Sequence, residues 1–80
     1  MSYERFRLAA DEIDAILIKR FGDPDGDSDQ AFADAMMSLE YAMARRIVRT
    51  GANKIQQAGS VQLIIEHICG HLAHPEELGA

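Results

Sequence analysis

Cysteine occurs once in this 80-residue chain, at Cys69. An internal disulfide is therefore excluded. No apolar run approaches the ~18 residues that a membrane span needs. The opening segment MSYERFRLAADEID has no apolar core of the secretory kind, so no leader is expected. A lone thiol without a leader fits a reducing cytoplasm. Basic residues are few: eight Lys and Arg stand against thirteen Asp and Glu, for a net charge of −5. That balance argues against general phosphate binding. There is no glycine-rich phosphate loop and no sustained alternation of the β kind.

What is present is enough apolar residue for a folded protein. The hydrophobic fraction is 48%, too high for a disordered tail. A domain this small buries a modest core and gains from a second chain. The charge is uneven. Residues 1–40 hold ten acids and four bases, a balance of −6, and residues 41–80 hold four bases and three acids, a balance of +1.

Helical periodicity runs through three segments. Phe6, Ala10, Ile13, Leu17 and Phe21 form one stripe of a helix over about 3–21, with Ser2 as its N-cap. Leu8, Ala15 and Ile18 add a weaker strip. Gly22 to Asp27, with Pro24 and Gly26, breaks the chain. A second helix spans about 29–50, with Phe32, Met36, Leu39, Met43 and Ile47 in a narrow arc. Ala33, Met37, Ala44 and Val48 widen that arc to half the circumference, more than one partner helix needs. Asp34, Ser38, Arg45 and Arg49 occupy the opposite face. Gly51 stops the helix. A short turn near 53–58 precedes a third helix over about 61–73, capped by Ser60 and stopped by Pro75. Val61, Ile64, Ile65, Ile68 and Leu72 make its buried stripe, and residues 75–80 form a loose tail. The expectation is an all-α, single-domain small helical bundle of three main helices. The breadth of the second helix's arc further implies a homodimer that shares a core of four or more helices.

The segment GDPDGDSDQAFAD places Asp23, Asp25, Asp27 and Asp29 at alternate positions. Counted from Asp23, it resembles an EF-hand calcium loop at positions one, three and five. It departs from that loop at Ser28, where glycine makes the turn, at Gln30, where an aliphatic residue sits, and at Asp34, where a glutamate chelates. The competing reading is a hinge in which Asp27 or Ser28 caps the second helix, with Asp27 and Gln30 as an approximate capping box. His67, His71 and His74 fall on one side of a continued helix. The i, i+4 pair His67 and His71 is the candidate for a zinc ion, but the glutamate base of HExxH is missing. The alternative reading is a polar helix end favoured by the dipole. No metal or other cofactor is expected.

IQQAGSVQLIIEHI matches the helix-turn-helix pattern in part. Gly59 suits the turn, with Ile65 and Ile68 following it. Ile55 occupies the position of the small residue, and the would-be recognition helix carries Glu66 and no Lys or Arg, so nucleic acid is not the expected partner. EIDAILIKRF and ARRIVRTGANK resemble segments of helical chorismate mutases. The long first helix of that family is interrupted here by GDPDGDSD, so that activity is not expected. Cys69 has histidines nearby in sequence and no third member of a catalytic set, so no enzyme is expected.

The reading that remains is a small acidic protein-binding module. It would regulate or inhibit a macromolecular partner by surface occlusion, through Asp23, Asp25, Asp27 and Asp29 or through Arg45, Arg46 and Arg49. In size and charge the chain resembles the accessory inhibitors of phages and mobile elements, including anti-CRISPR proteins. The alternatives are a helix-turn-helix-like DNA-binding regulator on residues 53–73 and a metal-responsive protein using His67, His71 and His74.

Overall fold

The computed structural model describes residues 3–79. These form an all-α fold: α1 (Glu4–Phe21), α2 (Asp29–Arg49) and α3 (Lys54–Ala73), followed by a short 3-10 turn, Pro75–Glu77. No strand occurs among the described residues. The chain divides into two units, Met1–Ala42 and Met43–Ala80, with the division inside α2.

In the first unit, α1 begins with Tyr3 at the cap and no side-chain cap bond; Ser2 lies outside the described residues. Glu4 in the first turn and Lys19 and Arg20 in the last complement the helix dipole. Gly22 ends the helix, donating its N–H to the Ile18 carbonyl at 2.9 Å. Its φ of 91° and ψ of 173° lie where side chains are strained. The Ser28 hydroxyl then accepts from the Ala31 N–H at 3.0 Å, which makes Ser28 the cap of α2.

The buried residues are Leu17, Ala31 and Ala35. All lie within two turns of the elbow between α1 and α2. Leu17 belongs to the stripe expected of α1, but Phe6, Ile13 and Phe21 on that stripe are exposed. On α2 the inward face differs from the expected one. Ala31 and Ala35 are buried and Asp34 and Ser38 half-buried, whereas on the expected stripe Phe32, Met36 and Met43 are exposed and Leu39 and Ile47 half-buried. At 100° per residue the inward face is turned by about 100° from the large-residue stripe. Small side chains let a helix approach its neighbourhood closely, and the polar groups there are satisfied locally. Ser38 donates to the Asp34 carbonyl at 2.8 Å, and Gln30 Nε2 donates to the Asp34 carboxylate at 2.8 Å.

In the second unit, α2 ends where Gly51, at φ 75°, donates to the Val48 carbonyl at 3.1 Å. The separate turn expected near 53–58 is the first part of α3. Asn53 accepts from the Gln56 N–H at 2.9 Å, and Gln56 Oε1 accepts from the Asn53 N–H at 2.9 Å. This reciprocal capping box starts the helix seven residues before Ser60. Gly59 and Ser60 are therefore interior, and the turn of a helix-turn-helix over 53–73 does not form. A Cβ at Gly59 would meet nothing within 4 Å, and its φ is not positive. Gly59→Ala should accordingly stabilise the chain by about 0.5–1 kcal/mol. The expected result is a thermal midpoint several degrees higher by circular dichroism; a lower midpoint would mean that Gly59 bends the chain.

The expected stripe of α3 is not buried. No described residue of this unit is buried; Val61, Ile65, Ile68 and Leu72 are exposed and Ile64 is half-buried. The expected loose tail contains the 3-10 turn at Pro75–Glu77, and Ala80 lies outside the described residues.

Candidate functional site

The acidic turn is built from its own carboxylates. The Asp27 carboxylate accepts from the Asp23 N–H at 2.6 Å, and the Asp23 carboxylate accepts from the Asp25 N–H at 2.9 Å. The Asp27 N–H in turn donates to the Asp23 carbonyl at 2.9 Å. Asp23 and Asp27 thus lock the loop from its two ends, as short aspartates do in turns. Asp27 does not form the expected capping box with Gln30, because Gln30 pairs with Asp34 one turn along the helix.

The hinge reading accounts for these bonds. In a calcium loop the carboxylate oxygens must turn to a common centre. Here Asp23 and Asp27 are directed at backbone N–H groups, and Asp34 sits on α2 with Gln30. Among the described residues no group of three or more His, Cys, Asp or Glu side chains is arranged to hold a metal ion. Asp25 and Asp29 are exposed, which leaves them facing water at the mouth of the turn.

Beside this turn, within the first unit, Phe32 is 52% exposed and Met36 is 37% exposed. They sit four residues apart on one face of α2, so their side chains adjoin. An aromatic and a methionine beside a rim of carboxylates have the composition of an interface centre with a polar edge. The breadth of the apolar arc on α2 was readable from spacing; which part of it faces outward was not.

In the second unit, Arg45, Arg46 and Arg49 are exposed. Arg45 and Arg49 share a face of the helix, and Arg46 is turned about 100° from Arg45 and about 60° from Arg49. Arg46 and Arg49 lie in the last turn, where cations suit the dipole. His67 and His71 are exposed on α3. His74 leaves the helix: it is the C-cap, with φ −132° and ψ 63°. Its Nδ1 lies 3.5 Å from a Glu76 carboxylate oxygen, with both side chains largely in solvent. The three histidines therefore do not form the single helical face expected of them. Cys69 is a free, exposed thiol.

No helix is long and apolar enough to cross a membrane among the described residues. No protein-family model matches the chain, and neither a curated protein nor a solved structure shows detectable similarity to it.

Proposed function

We propose that the chain is a small acidic protein-binding module that regulates or inhibits a protein partner by covering part of its surface. The observation that supports this best is the orientation of α2 in the first unit. Its small residues Ala31 and Ala35 turn inward, and Phe32 and Met36 are left in solvent, with Asp29 one turn before Phe32 on the same helix and the exposed Asp25 in the turn that precedes it. An aromatic kept in water gains nothing for the free chain and gains most when a partner desolvates it. The carboxylates at the rim would steer a partner whose matching edge is basic and set its orientation.

Occlusion of this kind requires shape and charge and no reaction. The accessory inhibitors of phages and mobile elements, anti-CRISPR proteins among them, are the sort of protein that this size and charge suit. In a version that acts on a nucleic-acid-binding target, Asp25 and Asp29 would stand where phosphates sit. The exposed thiol of Cys69 suits a reducing compartment. Arg45, Arg46 and Arg49 would offer a second contact for an acidic edge.

The test is affinity capture with the tagged chain from its native lysate, with nuclease treatment of half the sample. A stoichiometric protein that survives nuclease is the expected result. Retention only of material lost with nuclease would overturn the reading.

A further inference from the structure

We propose that His67 and His71 form a binding site for a divalent transition-metal ion of the zinc and nickel kind, held by the two imidazoles and completed by water. Both residues lie within α3, and both are exposed. Residues four apart on a helix are turned from one another by about 40° and bring their Cβ atoms to about 5–6 Å. Two imidazoles at that spacing can reach one ion at the usual metal–nitrogen distance of about 2.0–2.1 Å. The rings are free to do so. Among the described residues the histidine that pairs with a carboxylate is His74, and neither the His67 nor the His71 ring has a protein partner. The backbone from His67 to His71 is unbroken α-helix, so the chelate closes without ordering a loop. Gly70 lies about 60° from His67 around the helix. The space at its Cβ position is open to 4 Å, which leaves room for the water ligands.

The donor set selects the metal. Imidazole suits zinc, nickel and copper, whereas magnesium and calcium take oxygen ligands. Glu66 is the only Asp, Glu, Lys or Arg between Ile55 and Ala73. It is turned about 100° from His67 and about 140° from His71, and Cys69 is turned about 160° from each, so neither supplies a third ligand. Electrostatics favours a cation at this end of the helix. His71 is in the last turn of α3, at the negative end of the dipole. Glu76 and Glu77 follow in the 3-10 turn, which contacts α3. Lys54, the only Lys or Arg of α3, lies about 20 Å from His67 along the axis.

With two protein ligands the site is an exchangeable one, unlike the closed four-ligand sites of structural zinc. Its consequence for this chain is local. α3 has no buried side chain among its described residues. An ion spanning adjacent turns binds the helix and not the extended segment, and therefore stabilises the end of α3. This inference does not depend on the function proposed above, since the metal pair and the protein-binding surface on α2 lie in different units.

The experiment titrates zinc chloride into the full chain and into His67→Ala, His71→Ala, His74→Ala and Cys69→Ser, with magnesium chloride as the hard-ion control. Calorimetry should give one zinc per chain and no heat with magnesium. His67→Ala and His71→Ala should each weaken zinc binding by about tenfold or more, because the second imidazole acts at the high effective concentration of a short tether. His74→Ala and Cys69→Ser should bind as the wild type does. Zinc should also raise the thermal midpoint of the wild type and leave that of His71→Ala unchanged. A second readout needs no variant. Substoichiometric nickel chloride should broaden the ring-proton resonances of His67 and His71 together, before that of His74. Absence of zinc binding by the wild type at millimolar ion overturns the proposal. So does wild-type affinity in folded His67→Ala or His71→Ala, an equal loss in His74→Ala or Cys69→Ser, or nickel broadening that begins at His74.

Discussion

Gly22→Ala should be the most damaging single substitution in the loop region, costing about 2–4 kcal/mol. Two effects combine. The backbone there has φ 91° and ψ 173°, a region that is in practice reserved for glycine and costs other residues about 1–3 kcal/mol. The added Cβ would also come within 2.7 Å of the Asp27 carboxylate oxygen. That same oxygen accepts the Asp23 N–H, so relieving the clash means loosening the bond that closes the turn. For an 80-residue chain, whose total stability is on the order of 4–12 kcal/mol, such a loss is large. Urea denaturation followed by circular dichroism should show it. Asp27→Ala provides the internal check. In that background the clash is gone, and Gly22→Ala should cost less by about 1 kcal/mol or more. Equal costs in both backgrounds would show that Asp27 does not brace Gly22.

The second large effect concerns binding. Once a partner is captured, replacing Phe32 and Met36 together by aspartate should weaken its binding by about 100-fold or more. Central aromatic anchors typically contribute at least 2 kcal/mol each when truncated, and adding charge at a desolvated centre costs more. Helix content should be retained, because both side chains face solvent in the free chain. Asp25→Asn with Asp29→Asn should have a smaller effect, mainly on the association rate and its salt dependence, as rim charges do. An unchanged affinity for the Phe32 and Met36 variant would move the binding surface elsewhere on the chain.

The helices were legible because local signals agree. Periodicity placed α1 and α2 to within a residue of their observed ends, with Gly22 and Gly51 as stops. The acidic turn was recognisable from Pro24, Gly26 and its aspartates. The start of α3 was misplaced because Gly59-Ser60 has the composition of a break. The Asn53–Gln56 box starts the helix earlier, and a glycine with open space around it costs too little to stop it. Burial was the least legible feature. Stripes mark which faces are apolar, but whether a face is covered depends on which neighbour reaches it. On α2 the small residues Ala31 and Ala35 were the ones covered, and Asp34 and Ser38 beside them had looked like a solvent face. For the candidate site, the spacing of Asp23 and Asp27 fits a turn or an ion equally, and only their hydrogen bonds to backbone N–H groups show how the turn uses them.

The surface proposed for a protein partner is the opening of α2 together with the acidic turn. Hydrogen–deuterium exchange of the chain, alone and with the captured protein, tests it most directly. Slower exchange across residues 23–37, Phe32 and Met36 included, is the expected result in the complex. Exchange slowed elsewhere and unchanged across that segment would contradict it.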